Sequence, residues 1–280
     1  MADPGGAEGQ VVILADEAAV AHEAARRLVA ELGTAIADRG EGHVALTGGS
    51  SAVALYRELV KPEWHTAVDW TRVHLWWGDE RFVPIDHPES NIGLAYNLLL
   101  ALSERAGESG AGGAGVDVDA GDVPALPIRI ENVHPFEVDE TLSESEPAEL
   151  AAERYADALE RYLPAIGDLP GFDVMLLGVG PDGHILSVFP GSRVLRSKAL
   201  VVTVPAPEHV EPHLPRVSLN PRLLEAAGLV LVMATGDSKA EMLRNVLGGP
   251  RNPARWPAQL ALLPQAVWLL DQAAGKEVGA

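Results

Sequence analysis

The chain has 280 residues, with 40 Asp and Glu against 21 Lys and Arg, nine His, no Cys and a formal net charge of −19. Phosphate-backbone binding needs clustered Lys and Arg, so this balance argues against nucleic acid as a partner; a small anionic ligand stays open, because a site's potential is set by local groups. Without cysteine there are no disulfides and no thiolate metal sites. No apolar run approaches the roughly 20 residues of a membrane-spanning helix, and the opening MADPGGAEGQVVIL lacks the basic start and apolar stretch of a signal peptide, so a soluble, cytoplasmic protein is expected.

In chain order, short β-branched runs alternate with Ala-rich helical patterns. VVIL (11–14) precedes a long amphipathic helix that starts after Asp16 and stops near Gly40. HVALTGG (43–49) leads into SSAVALYRELV, and VHLWWGD (73–79) is followed by a helix over NIGLAYNLLLALSERAG. Residues 101–160 carry 15 acids against 3 bases, and within them 106–122 reads as an acidic Gly/Ala-rich loop with little to bury. PIRI (127–130) reads as a short strand and ELAAERYADALERYL (149–163) as a helix. FDVMLLGVG (172–180) and ALVVTVPA (199–206) are strands, PRLLEAAG starts a helix–strand–turn–helix unit with its strand at 229–234, and VWLLD (267–271) ends the pattern. This alternation predicts an α/β fold, a mostly parallel sheet flanked by helices on both faces. With no linker-like break in composition, residues 1–280 read as a single domain with a smaller decorated region.

Ligands of open parallel sheets bind beyond the carboxyl ends of the strands, which directs attention to four loops. In LTGGSSAVALY, Gly48 and Gly49 let backbone approach a ligand, and the amides of the turn opened by Ser50 and Ser51 favour an anion; a tight turn with a serine N-cap fits the same residues. Its spacing matches neither the nucleotide P-loop nor the dinucleotide fingerprint. In WWGDERFVPIDHPESN, Arg81 offers a fork for phosphate or carboxylate, or else pairs with Asp79 and Glu80 at the surface. In ATGDSKAEML, Lys239 stands in the first turn of a helix, against the macrodipole, which an anion would explain and simple exposure would also allow. In GVGPDGH, His184 follows a buried strand with glycines around it and Asp182 two positions before it, the placement of a general acid or base or of a hydrogen-bonding turn residue. His209 and His213, in Pro-rich surface sequence, read as structural. Neither His-x-x-x-His on a helix nor a His among clustered acids occurs, so no metal site is expected.

Taken together, GGS (48–50), GDER with VP (78–84), Ser90-Asn91, the FD…LLG…G…DGH run (172–184), FPGS (189–192), Pro215-Arg216 with Ser218-Leu219, and G-x-SK (236–239) resemble, in this order, the 6-phosphogluconolactonases. That family is similar in fold to the glucosamine-6-phosphate isomerases/deaminases. The resemblance implies hydrolysis of 6-phospho-D-glucono-1,5-lactone to 6-phospho-D-gluconate in the oxidative pentose phosphate pathway, with no metal or organic cofactor and a small phosphorylated sugar lactone as the partner; a monomer is expected, although the sequence itself does not reveal oligomeric state. It implies His184 as the base that takes a proton from the attacking water, with Asp182 shaping the pocket. Arg81 and Lys239, the amides from Gly49 to Ser51, and Arg216 would hold the phosphate. Gly48, Ser50, Asp79, Asn91, Gly180 and Gly183 complete the implied substrate site.

Three departures stand out. Ser51-Ala52 replaces the family's Thr-Pro, Ile185-Leu186 gives a bulkier wall after His184, and Val217-Ser218 replaces Ile-Thr. An amino-sugar phosphate isomerase/deaminase is the nearest alternative, but its glutamate five residues beyond the histidine is here Phe189, which cannot titrate. A non-catalytic sugar-phosphate-binding protein on the same fold is the other.

Overall fold

A computed structural model describes residues 9–100 and 125–279; the acidic 106–122 segment lies outside these. Among the described residues eleven strands form: β1 (Gln10–Leu14), β2 (Gly42–Leu46), β3 (Val73–Trp77), β4 (Asp79–Arg81), β5 (Ala165–Ile166), β6 (Leu169–Pro170), β7 (Val174–Gly178), β8 (Val201–Val204), β9 (Arg216–Leu219), β10 (Leu229–Ala234) and β11 (Ala266–Asp271). Six of them build one parallel sheet in the order β1-β11-β10-β7-β2-β3. Its inner strands are apolar on both sides; every residue of β2 and β11 is buried, as expected where helices cover a parallel sheet.

The helix Glu17–Arg39 explains its own limits. Asp16 accepts the Ala19 amide at 2.9 Å as N-cap, and Gly40, at φ 88°, ends the helix in the left-handed region. Its Val20, Ala24, Leu28 and Leu32 recur at helical spacing and are buried against the sheet.

The chain leaves β2 toward β3 on one side and β7 toward β10 on the other, so the sheet reverses its winding between β2 and β7. These two strands pair only through Val44–Val174 and Ala45–Met175. The loops that follow their carboxyl ends run in opposite directions, and the crevice between such loops is where parallel sheets bind their ligands.

A second sheet decorates the first. β4, β9 and β8 pair antiparallel, Asp79 against Ser218, Glu80 against Val217 and Arg81 against Arg216. Sequence periodicity misses this sheet: GDER reads as a loop because its strand is three residues of charge, and RVSL is too short to stand out. ALVVTVPA contains a strand as expected, but it belongs here and not to the parallel sheet. PIRI forms no strand; Ile130–Asn132 is a single 3₁₀ turn, and only Val133 bridges to Leu75. The helix expected at PRLLEAAG is a 3₁₀ turn over Pro221–Ala226. The pattern from Asn91 is α-helical only to Ala95 and runs on as a π-helix to Leu100.

Candidate active site

Loops from the ends of β2, β3, β7 and β10 enclose a cavity of about 220 Å³ at the crevice. It is lined by eleven of the thirteen residues singled out above, Gly48, Gly49, Ser50, Ser51, Asp79, Arg81, Asn91, Gly180, His184, Arg216 and Lys239, and Asp182 stands behind His184 without lining it. Gly183 does not line it; it packs behind the loop against Trp256.

Two glycines are needed for close approach. A Cβ on Gly180 would lie 2.0 Å from His184 Nδ1, and one on Gly48 would lie 1.9 Å from Asn91 Oδ1. Any larger residue would push the imidazole or the amide out of place. Gly49, at φ 87°, caps the helix Ser50–Leu59 with no side-chain bond. The serine N-cap therefore does not form, and no side chain caps the first-turn amides of this helix.

His184 sits in the turn after β7. Asp182 Oδ1 accepts the His184 backbone N–H at 3.1 Å and faces its ring Nδ1 at 2.6 Å. Burial opposes ionisation of Asp182, but the bonds and charge of His184, together with a bond from His209, outweigh it and hold the carboxyl well below the usual range. An ionised carboxylate only accepts, so Nδ1 carries a proton, and in the neutral ring the lone pair is then on Nε2. His209, expected to be structural, lies with Nε2 2.9 Å from Asp182 Oδ2. The sequence separates them by 27 residues, and no spacing pattern links them.

The cations come from three elements. Arg81 and Arg216 stand opposite each other on β4 and β9. Arg81 donates to the Glu89 carbonyl, and Arg216 lies 5.3 Å over the Phe189 ring and 4.0 Å from Asp79. Burial pulls the Arg216 guanidinium below its usual range, which Asp79 opposes and Arg81 reinforces. Asp79 also accepts the Ser187 hydroxyl. Lys239 ends a 3₁₀ turn after β10 and donates to the Val179 carbonyl at 2.8 Å; burial lowers its ammonium pKa, with Asp182 pulling the other way. Asp271, at the end of β11, accepts the Gly236 amide at 3.1 Å and so fixes the loop that carries Lys239.

Glu80 was not singled out by sequence, yet it organises this wall. Its buried carboxylate takes the amides of Arg81 at 2.6 Å, Asn91 at 2.8 Å and Ile92 at 2.7 Å, and the Ser90 hydroxyl at 2.9 Å. Burial pushes it up to about 7 against the pull of those four donors. Asn91 in turn donates to the Asp79 carbonyl at 2.9 Å. Of the two bulky residues after His184, Ile185 is turned into the core, and only Leu186 reaches the cavity. Leu186 has room because its neighbour is Gly78, where a Cβ would lie 2.8 Å from the leucine methyl.

Fold and crevice together define an α/β protein with a cationic, histidine-bearing small-molecule site at the switch point of its sheet. The family described as glucosamine-6-phosphate isomerases/6-phosphogluconolactonase matches residues 15–269, and the chain belongs to that family. It is 34% identical over 272 residues to 6-phosphogluconolactonase of Mycobacterium tuberculosis, covering 96% of this chain and 98% of the relative. It is 30% identical over 272 residues to that of Synechocystis sp., with the same coverage. The solved 6-phosphogluconolactonase of Leishmania guyanensis superposes with a TM-score of 0.75 at 27% identity, covering 97% of this chain and 99% of the other. A monomeric glucosamine-6-phosphate deaminase shares the fold at a TM-score of 0.73 and 17% identity, covering 96% and 99%.

Proposed function

We propose that the chain hydrolyses 6-phospho-D-glucono-1,5-lactone to 6-phospho-D-gluconate, with His184 as the general base. The observation that carries this reading is the convergence in one cavity of a histidine oriented by Asp182 with three cations, Arg81, Arg216 and Lys239. His184 Nε2 takes a proton from water as the water oxygen bonds to the lactone carbonyl carbon. The tetrahedral intermediate then breaks its bond to the ring oxygen, which takes the proton back from the imidazolium and becomes a hydroxyl. A lactone is an activated ester, so one base and correct placement suffice. The cations and the amides from Gly49 to Ser51 grip the phosphate, and that remote binding energy orients the ring.

Isomerisation of an amino sugar would need a carboxylate base for a carbon-bound proton. Phe189 occupies the relevant place, its ring 4.6 Å from that of His184, and Asp79 is engaged by Ser187 and Arg216. No helix among the described residues is long and apolar enough to cross a membrane. The reading makes the chain a cytoplasmic monomer that works without metal or organic cofactor. A lactonase assay on purified protein, corrected for spontaneous ring opening, tests it beside a deaminase assay on glucosamine 6-phosphate. Saturable lactone hydrolysis without deamination is the expected result; deamination alone would overturn it.

A further inference from the structure

Asp182 is held by two imidazoles. Its Oδ1 meets His184 Nδ1 at 2.6 Å, and its Oδ2 meets His209 Nε2 at 2.9 Å. The second ring arrives on the segment Pro207–His213, which also places Val210 and Glu211 at the cavity. That segment is tied in two further places: His213 Nδ1 lies 2.6 Å from the Pro207 carbonyl, and Arg216 donates to the Pro212 carbonyl at 3.2 Å. Phe189 fills the space between the histidines, its ring 4.6 Å from His184 and 5.8 Å, edge on, from His209.

We propose that His209 is a positioning residue for the reaction: it donates its Nε2–H to the second oxygen of Asp182 and thereby fixes the carboxylate that keeps His184 protonated on Nδ1 and open on Nε2. This rests on the reading of His184 as the base. Without the second donor, Asp182 would be anchored only by His184 itself, through the ring and the backbone amide of the same residue. A carboxylate held from one side can turn about its last bond; one held from both sides cannot.

Removing the His209 donor has the same sign whichever charge that ring carries. A neutral His209 withdraws electron density from Asp182, so its loss makes the carboxylate a stronger partner for protonated His184. A charged His209 also repels the His184 imidazolium, and its loss removes that repulsion. In both cases His184 holds its proton to higher pH. The other charged groups around the pair are Lys239 after β10, Arg216 on β9, and Arg255, which stacks at 4.2 Å on the Trp256 that packs behind Gly183. Glu208, Glu211 and His213 lie on the segment of His209 itself. All of these stay in place in the variants below, so the change isolates His209.

A purely packing role for His209, anchoring the segment over the cavity, gives the opposite ranking of two substitutions. His209→Phe keeps a ring against Phe189 but has no donor; His209→Gln keeps an N–H near the Nε2 position but has no ring. Steady-state kinetics on the lactone across pH, and an NMR titration of the His184 imidazole in the ligand-free proteins, decide between them. His209→Phe is expected to lower kcat about 2- to 10-fold, the equivalent of one partly exposed hydrogen bond, with KM little changed. It should also move both the acidic limb and the NMR midpoint up by roughly half a pH unit, while His209→Gln stays near wild type. A loss in His209→Gln with His209→Phe intact, or a rise in KM alone, or an unmoved midpoint in His209→Phe overturns the proposal. Absence of lactonase activity in the wild type would sink the proposed reaction, and the NMR midpoints would still decide whether His209 acts on His184 through Asp182.

Discussion

Arg81 and Arg216 face each other across the β4–β9 ladder, and the Nε of each is buried without a hydrogen-bond partner. Like charges directly opposite in a sheet repel, and a buried donor without an acceptor costs free energy. Asp79 sits 4.0 Å from Arg216 and Glu89 lies 3.3 Å from Arg81, which offsets part of the charge but leaves both Nε groups unmet. An anion between the two forks would relieve both costs together.

Arg81→Ala and Lys239→Ala should therefore raise KM for the phosphorylated lactone by about 10- to 100-fold, the loss of one charge-assisted contact, with a smaller change in kcat. Inorganic phosphate should raise the melting temperature of the wild type and do so less in either variant. Equal turnover of unphosphorylated gluconolactone by the wild type would remove the phosphate site from this cavity.

His184→Ala should lower kcat by roughly 10²- to 10⁴-fold, with KM nearly unchanged, because a general base acts on the transition state and not on the phosphate. His184→Asn can still hydrogen-bond but cannot accept the proton at neutral pH, so it should fail almost as badly. An unchanged kcat with a raised KM would make His184 a residue of the turn and not of the chemistry.

Much of this site was legible because strand ends announce themselves. Apolar runs that stop in glycines marked the loops after β2 and β7, and Arg81, His184 and Lys239 are charged or titratable residues just beyond buried strands. Glu80 was read only as a possible surface partner of Arg81; it is buried, and its role comes from meeting the amides of Asn91 and Ile92, which only the fold brings within reach. His209 escaped notice for the same reason, since a Pro-rich surface segment gives no periodicity to read. PIRI looked like a strand from its β-branched residues, but Ile130 is exposed, at 62%, and the chain meets the edge strand β3 only further on, where Val133 bridges to Leu75. Local propensity gave way to tertiary position there.

Glu80→Gln tests the wall behind Arg81. The amide keeps one acceptor oxygen and turns a nitrogen toward amides or the Ser90 hydroxyl that already donate. At least one buried donor loses its acceptor, at a cost of about 1–3 kcal/mol. Stability should fall by that amount in urea titrations, and KM should rise as Asn91 loosens. A variant as stable as the wild type would mean that Glu80 is protonated in the folded protein, in keeping with a pKa raised to about 7.

The far end of the sheet holds a histidine cluster that should govern acid stability. His74 Nδ1 lies 2.9 Å from His134 Nε2, His134 stacks on Trp76 with ring centres 4.0 Å apart, and Trp76 donates to His43 at 3.2 Å. Burial lowers the pKa of all three; His43 adds to the effect on His74, Glu41 opposes it at His43 and His74, and His134 is pushed down to about 4 by burial and by both other rings. The unfolded chain, with histidine near 6.5, binds more protons than the folded one between that value and the folded pKa of about 4. The cluster's contribution is thus complete above pH 6.5 and is lost as pH falls toward 4. For His134, discounted for its partial exposure, this is on the order of 1–2 kcal/mol. Glu80 contributes with the opposite sign over its own window, because a raised carboxyl pKa favours the folded state as pH falls from about 7 to 4.5; the wild-type curve alone therefore mixes the two. His134→Phe keeps the ring on Trp76 and removes the titration. Its melting temperature should decline less than that of the wild type between about pH 7 and 4.5, by roughly 2–6 °C. Parallel curves for the two proteins would place the acid sensitivity elsewhere.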